Sequence, residues 1–264
     1  MRLFTALALS IASASAHAGW SIGVDLESFK WEETGDVNVV EKGGRYGLSW
    51  GFLKEREAGW QFAYRGQFRR GTVDYTGALL FDPSQAATAR VRYTGLVNEA
   101  QGIYRFPQSI GFELLGGLGF DYWERNILPD QREDYSVVFA RLGFNIDPRA
   151  RGFFGGGGLK LPFYVYENAH LDELGFDRNE PLHPKGQPSL YAQAGYRFTR
   201  SWSLAGYFDS YRFQESKEVR VTSSDPSICP PPPPPQPFQA CAFRVSQPAS
   251  TVNTFGLKLQ YDFQ

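Results

Sequence analysis

The chain alternates apolar and polar side chains, with a period of two residues, along most of its length. The first alternating segment has apolar residues at every second position: Trp20, Ile22, Val24 and Leu26. Because successive side chains of a β-strand point to opposite faces, this pattern predicts a strand with one apolar and one polar face. The pattern recurs as far as Phe263, and we predict ten such strands.

The segments between the predicted strands alternate in length. Short connections fall near residues 53–59, 106–110, 147–152 and 199–201, and long ones near 34–44, 74–87, 126–134, 167–188 and 214–249. An even number of strands, with short turns at one end and long loops at the other, is typical of a transmembrane β-barrel. We therefore expect an all-β fold, a single antiparallel barrel of ten strands over residues 19–264, with both termini on the periplasmic side and five surface loops.

The first 18 residues differ from the rest and have the features of an export signal. Met1 and Arg2 give a positive start, residues 3–14 form an apolar stretch, and Ala16-His17-Ala18 supplies the small residues of a cleavage site. We expect residues 1–18 to be removed. An exported chain reaches an oxidising compartment, which favours a disulfide between Cys229 and Cys241.

Composition helps to separate a soluble β-sandwich from a membrane barrel, which share this alternation. Mean hydropathy is −0.37, and past the export signal no apolar run approaches the roughly 18 residues of a membrane helix. Six tryptophans lie near the ends of predicted strands: Trp20, Trp50, Trp60 and Trp202 near short connections, Trp31 and Trp123 near long ones. Two such groups predict aromatic girdles at the two membrane interfaces and favour the membrane barrel.

The organisation of the chain and its last strand resemble those of Gram-negative outer-membrane β-barrel proteins. Residues 255–263 alternate aromatic residues and leucine with Gly256, Lys258, Gln260 and Asp262, like the terminal signature that this family presents to its barrel-assembly machinery. The family usually ends on the aromatic residue, whereas Gln264 follows Phe263 here. The resemblance covers the whole mature chain and implies a cell outer membrane location, without indicating a subfamily.

The polar faces of the strands supply candidate lumen residues. These side chains are expected either to form an ionic plug that stiffens the barrel or to select solutes in a narrow pore. The candidates are Arg65, Arg92, Arg141, Lys160, Arg197, Glu113, Asp121 and Asp209.

Enzymatic chemistry has little support in the sequence. Omptin-like surface proteases are also ten-stranded barrels, and they use an acidic pair and an Asp/His pair to polarise a water molecule. The mature chain has two histidines, His170 and His183, both in the predicted loop 167–188. His170 and Asp172 are the nearest sequence match to an Asp/His pair, but a loop histidine beside an acid is usually a solvated surface residue. We identify no catalytic, metal or cofactor-binding residue.

The predicted loop 214–249 contains six consecutive prolines directly after Cys229, followed by Phe238 and Cys241. Six residues of polyproline II extend about 19 Å, and the return segment can span the same distance, so a stiff spike closed by a disulfide is geometrically feasible. Such a spike could present Phe238 to a surface ligand, or it could be a protease-resistant loop with no binding role.

Together these features predict a non-catalytic outer-membrane barrel with a structural or surface-interaction role through its loops. A narrow, porin-like channel for small solutes is the alternative, and a surface hydrolase is a third. The net charge of −1 provides no basic stripe for nucleic acid. The expected partners are outer-membrane lipids and lipopolysaccharide, the barrel-assembly machinery during biogenesis, and a surface ligand of the proline-rich loop.

Overall fold

The computed structural model describes residues 18–35, 38–54, 58–79, 82–107, 109–128, 131–229 and 240–263. The predicted export signal lies outside the described residues except for Ala18. No helix among the described residues has the length and hydropathy needed to cross a membrane. Thirteen β-strands occupy the described residues: β1 (Ala18–Thr34), β2 (Val39–Lys54), β3 (Gly59–Leu79), β4 (Asp82–Arg105), β5 (Phe112–Leu128), β6 (Gln131–Ile146), β7 (Gly152–Asn168), β8 (Lys185–Gln187), β9 (Ser189–Arg197), β10 (Trp202–Gln214), β11 (Val219–Ser223), β12 (Cys241–Val245) and β13 (Ala249–Asp262).

The described strands close into one antiparallel barrel. Strands β1 to β7 follow one another around the wall, each paired with its neighbours. β8 and β9 both pair with β10 and form one interrupted barrel strand, because Pro188 between them has no amide hydrogen for the ladder. β13 pairs with both β10 and β1, which closes the wall. The wall formed by the described residues has ten strands, so the predicted ten-stranded barrel is confirmed.

The apolar faces of the strands point outward, and the polar faces point into the lumen. Leu26 and Leu142 on the outside are each 66% exposed, whereas the inward Asp25 and Asp121 are 0% and 1% exposed. A soluble barrel would show the opposite, because its apolar side chains would fill the core. An outward apolar surface around a polar lumen is the arrangement of a transmembrane barrel, and the protein is therefore an outer-membrane β-barrel.

The tryptophans follow the predicted girdles at the short-turn end only. Trp31 and Trp123, expected in a girdle near the long loops, are buried inside the barrel. Trp31 lies an even number of residues from Asp25 and Glu27 on β1. The alternation that turns these carboxylates inward therefore also turns the indole inward. The prediction of a second tryptophan girdle is therefore wrong. At the short-turn end three tryptophans are exposed on the outer face: Trp20, Trp60 and Trp202.

Three segments predicted as long loops are mostly strand. Residues 35–38 connect β1 to β2, residues 80–81 connect β3 to β4, and residues 129–130 connect β5 to β6. The predicted boundaries 34–44, 74–87 and 126–134 differ from these for a physical reason. The outward apolar residues form a band around the barrel, which we call the membrane band. Strand pairing continues beyond the edge of this band, where the outward side chains are polar.

The two remaining connections at the long-loop end fold onto each other. The connection from β10 to β13 contains the hairpin of β11 and β12, whose residues pair from Val219 with Val245 to Ser223 with Cys241. This hairpin packs on the connection that follows β7, and we refer to residues 169–184, 215–229 and 240–248 together as the cap. The cap has its own apolar cluster of buried residues: Ala169, Leu171, Phe176, Leu182 and Val221.

Candidate functional site: the lumen and the cap

A cavity of about 700 Å³ occupies the part of the lumen nearest the short turns. Its lining includes Asp147, Arg149 and Arg200, which lie in short turns, so the cavity reaches the short-turn end. A second cavity, nearer the long loops, measures only about 10 Å³. The lumen is therefore hollow toward the short turns and filled toward the long loops.

A group of buried charges lies between the hollow and the filled parts. Lys160 Nζ lies 2.5 Å from Asp209, and the Arg141 guanidinium lies 3.3 Å from Asp209 and 3.4 Å from Glu99. The Lys160 ammonium also lies 3.4 Å from the centre of the Tyr211 ring. Because a charge removed from water is tolerated when it is paired, these contacts explain how a fully buried lysine is kept in the lumen.

Arg69 and Asp121 form a second buried group across the lumen. Arg69 Nη2 donates to both Asp121 oxygens, at 2.5 and 2.6 Å, and the Tyr211 hydroxyl donates to the same carboxylate at 2.9 Å. These three residues come from β3, β5 and β10, which are not neighbours in the wall. The bonds therefore brace the barrel from inside.

A third group lies at the short-turn end. Glu113 accepts hydrogen bonds from Arg105 and Arg149, each at 2.8 Å. Arg197 lies 2.7 Å from Asp147 in the turn after β6. The Arg105 pair joins β4 to β5, and the other two pairs attach the turn between β6 and β7 to β5 and β9.

The structure places seven of the eight candidate lumen residues inside the barrel. The exception is Arg92, which is exposed on the outer face between the buried Val91 and Tyr93, so its assignment to the lumen is wrong. Arg92 lies on the part of β4 beyond the membrane band, where outward side chains are polar. A polar side chain there does not by itself identify the inner face. Arg65 lines the cavity and makes no ion pair among the described residues, and the other six inward candidates are all paired: Arg141, Lys160, Arg197, Glu113, Asp121 and Asp209.

Apolar and aromatic side chains fill the lumen toward the long loops. The rings of Trp123 and Tyr135 stack with centroids 5.0 Å apart. Phe139 lies so close to Gly119 that a Cβ at Gly119 would overlap its ring. We refer to the whole cluster as the plug: Phe29, Trp31, Val73, Val91, Tyr93, Trp123, Ile127, Tyr135, Val137, Phe139, Val165, Tyr211, Phe213 and Val252.

A buried arginine beside the plug holds three carboxylates. Arg125 contacts Glu133 and Glu41 at 2.5 Å and Glu33 at 3.2 Å, and none of these four residues is more than 9% exposed. The guanidinium lies 5.2 Å from the Trp31 ring, a cation–π contact. The sequence prediction missed this cluster because Glu41 and Glu133 lie in segments predicted as loops.

The cap is cross-linked and hydrogen-bonded. Cys229 and Cys241 form the predicted disulfide, with their Cα atoms 5.6 Å apart. Asp177 accepts hydrogen bonds from the Thr222 hydroxyl at 2.6 Å and the Ser224 amide at 2.8 Å, which joins the two connections. The Thr222 bond, helped by that from Ser224, lowers the pKa of Asp177 below its ordinary value. The six prolines and Phe238 lie outside the described residues.

His170 lies after β7, as predicted, but its acidic partner is not the expected Asp172. Its Nε2 lies 2.7 Å from Asp134 on β6, and Arg132 and Asn168 also contact the ring. No serine, threonine or cysteine side chain is bonded to this ring among the described residues, so the pair has no nucleophile beside it.

His183 approaches the Val165 carbonyl oxygen at 3.2 Å and packs on the Tyr166 ring. Within the described ranges, no group of three or more His, Cys, Asp or Glu side chains is arranged to hold a metal ion. The two histidines therefore lie in separate environments at the long-loop end.

Comparisons with known proteins match whole barrels at low identity. No family model matches the chain, and no curated protein matches it. Among solved structures, the outer membrane protein OprG from Pseudomonas aeruginosa has 11% identity and a TM-score of 0.37, over 94% of this chain and 97% of that one. Ail, the attachment invasion locus protein of Yersinia pestis, has 10% identity and a TM-score of 0.32, over 94% of this chain and 100% of that one. The P. putida toluene transporter TodX has 10% identity and a TM-score of 0.35, over 96% of this chain and 91% of that one.

Proposed function

We propose that this protein is a non-conducting, non-catalytic barrel that holds the cap as a fixed platform for surface interactions outside the cell. The observation that carries the proposal is the plug, which fills the lumen toward the long loops. Hydrated ions cannot pass a closely packed apolar core, and a cavity of about 10 Å³ holds no more than about one water molecule.

The construction of the cap supports a platform rather than a set of mobile loops. An apolar cluster and the bonds of Asp177 join residues that are far apart in sequence, and a disulfide cross-links the connection between β11 and β12. A surface that is ordered before binding loses less conformational entropy when a partner docks. We place this surface outside the cell because long loops of such barrels face outward.

Conductance tests the closed lumen. The refolded protein, with its folded state checked by heat-dependent migration on a gel, is inserted into a planar bilayer. We expect no discrete conductance steps from the wild-type barrel. Reproducible steps of constant size would contradict the proposal and would make the protein a channel.

A narrow channel for small solutes is the second candidate function, and the cavity of about 700 Å³ favours it. In that case the plug would have to rearrange to connect the cavity to the outside. Arg65 would be the first selectivity candidate, because it lines the cavity and makes no ion pair among the described residues. A selectivity change in an Arg65→Gln channel would support this function.

Among the described residues, the pair of His170 and Asp134 is the one to test for hydrolase activity. Both ring nitrogens of His170 already face polar side chains, including Arg132, and no nucleophile in the described part of the chain is bonded to either. We propose that the pair instead fixes the start of the cap against β6. Ester or peptide hydrolysis that disappears in His170→Ala would overturn the non-catalytic assignment.

A further inference from the structure

The outer wall carries a basic sector directly beyond the membrane band. From the apolar band toward the long loops, the first charged outward residue on each of β1 to β4 is basic. On β5 and β6 the corresponding residue is acidic, Glu124 or Asp134. The four basic residues are Lys30, Lys42, Arg70 and Arg92.

Small residues lie between these four cations. Ser28, Gly44 and Thr72 are direct partners across β1, β2 and β3. Lys30 and Lys42 are also directly paired, one outward position further from the membrane band. A Cβ at Gly44 would meet only the carbonyl oxygen of Glu27, at 3.9 Å, so the centre of the sector is open.

Arg92 pairs with Thr72 in the register of β3 and β4, on the far side of the small residues. Arg70 lies one outward position closer to the membrane band than Thr72. Four cations therefore surround a shallow seat formed by Ser28, Gly44 and Thr72, whose two hydroxyls can donate hydrogen bonds.

The positive charge of the sector is only partly neutralised. Lys30 contacts Glu32 at 2.6 Å, and Asp74, the register partner of Lys42, lies 4.0 Å from Arg90. Lys42, Arg70 and Arg92 make no ion pair among the described residues. Like charges that lie opposite each other on a sheet are destabilising, so Lys30 and Lys42 favour a bridging anion.

We propose that this sector binds the phosphorylated headgroup of an anionic lipid in the outer leaflet. The lipid source is favoured over a soluble phosphate because the seat adjoins the membrane band. The exposed Leu26 and Tyr46 lie directly below it and can contact the apolar part of the same molecule. A bidentate arginine and the two hydroxyls match the acceptor oxygens of a phosphate.

The first test removes charge and measures lipid binding. The full-length mature barrel in detergent is titrated with bis-phosphorylated lipid A and analysed by native mass spectrometry. R70Q/R92Q is expected to weaken the apparent affinity by roughly 25-fold, about fivefold for each charge. The matched control is R220Q/R244Q, which removes two exposed positive charges from the cap hairpin and should leave binding unchanged.

The second test fills the seat without changing charge. Gly44→Leu places a bulky side chain between the cations and should lower lipid A affinity about as much as R70Q/R92Q. Folding of every variant is checked by heat-dependent gel migration, and G44A serves as the milder variant if G44L does not fold. Dephosphorylated lipid A should bind the wild type as weakly as intact lipid A binds R70Q/R92Q.

Three results would overturn the proposal. The first is unchanged lipid A binding in both R70Q/R92Q and Gly44→Leu. The second is an equal loss in R220Q/R244Q, which would mean that total charge and not the seat attracts the lipid. The third is displacement of lipid A by millimolar inorganic phosphate, which would mean that the seat takes free phosphate. Binding is measured separately from conductance, so failure here leaves the proposed closed barrel untouched.

Discussion

Gln247, in the connection between β12 and β13, donates a hydrogen bond from its side-chain amide to Glu33 Oε1 at 3.2 Å. Glu33 in turn contacts Arg125 and accepts a bond from the Trp31 indole at 2.9 Å. One carboxylate therefore joins the cap to the plug and to the buried arginine. This contact links the part of the molecule that we propose to bind partners with the part that closes the lumen.

Removing this link should loosen the cap without opening the barrel. In Gln247→Leu the Glu33 carboxylate keeps its contacts with Trp31 and Arg125 but loses one hydrogen bond. A hydrogen bond to a charged group contributes about 1.5–3 kcal/mol. We expect faster hydrogen exchange in residues 240–248 and unchanged exchange in β5, measured by mass spectrometry. Gln260→Leu is the control, because that amide bonds to Asp262 at the opposite end of the barrel. Equal effects of the two substitutions would contradict the link.

Arg125 should be far more important for stability than an exposed arginine. Arg125→Met leaves the carboxylates of Glu33, Glu41 and Glu133 buried without their shared cation, and we expect a loss of about 3–5 kcal/mol. The measurement is urea unfolding followed by tryptophan fluorescence. If this variant does not refold, Arg125→Lys keeps the charge but loses the multiple contacts and should show a smaller loss.

Arg90→Met is the matched control for Arg125. Arg90 and its partner Asp74 are 77% and 76% exposed, and their closest contact is 4.0 Å. Exposed ion pairs contribute about 0–1 kcal/mol, so its unfolding midpoint should barely change. A loss as large as that of Arg125→Met would show that burial is not the cause.

The alternation of side chains was sufficient to predict the barrel, its ten strands and most of its lumen residues. The alternation also predicts the correct orientation of Trp31, because this residue lies on the same face of β1 as Asp25 and Glu27. The girdle prediction relied on residue type instead of phase, and tryptophan is common at interfaces. Where strand pairing is continuous, a residue's position in the alternation predicts its orientation better than its residue type does.

The contacts that close the lumen could not be predicted in the same way. Arg69 and Asp121 are 52 residues apart, and Arg125 and Glu41 are 84 apart. Which inward charges meet depends on the barrel register and on the distance across the lumen, neither of which a single strand pattern contains. The pairing of His170 with Asp134 instead of Asp172 arises in the same way, from the approach of the chain after β7 to β6.

Shortening plug side chains should produce a conducting barrel. Trp123 stacks on Tyr135 and lies in the plug with Phe139, so the double variant Trp123→Ala/Phe139→Ala removes two large rings from the filled part of the lumen. We expect discrete conductance steps in a planar bilayer where the wild type is silent. Trp60→Ala/Phe62→Ala removes similar rings from the lipid-facing surface and should stay silent. Silence of a folded plug variant would mean that other groups close the barrel.

Acid should weaken the contact between the two parts of the cap. The pKa of Asp177 is lowered in the folded protein by the hydrogen bonds from Thr222 and Ser224. A carboxyl group whose pKa is lower when folded stabilises the folded state above its unfolded pKa, about 4, and this contribution disappears as pH falls through the lowered value. The cap should therefore hold its two connections together at neutral pH and loosen below about pH 4.

Hydrogen exchange of residues 171–182, corrected for the intrinsic pH dependence, measures this loosening. We expect wild-type protection to fall below about pH 4, and Asp177→Asn to be less protected at pH 6 and insensitive to pH. Asp172→Asn removes the same charge from an exposed position in the same connection and should behave like the wild type. If Asp177→Asn lost protection at acid pH as the wild type does, the loosening would have to arise from another titrating group. Because the barrel wall does not contain Asp177, protection of β5 should stay constant over the same range.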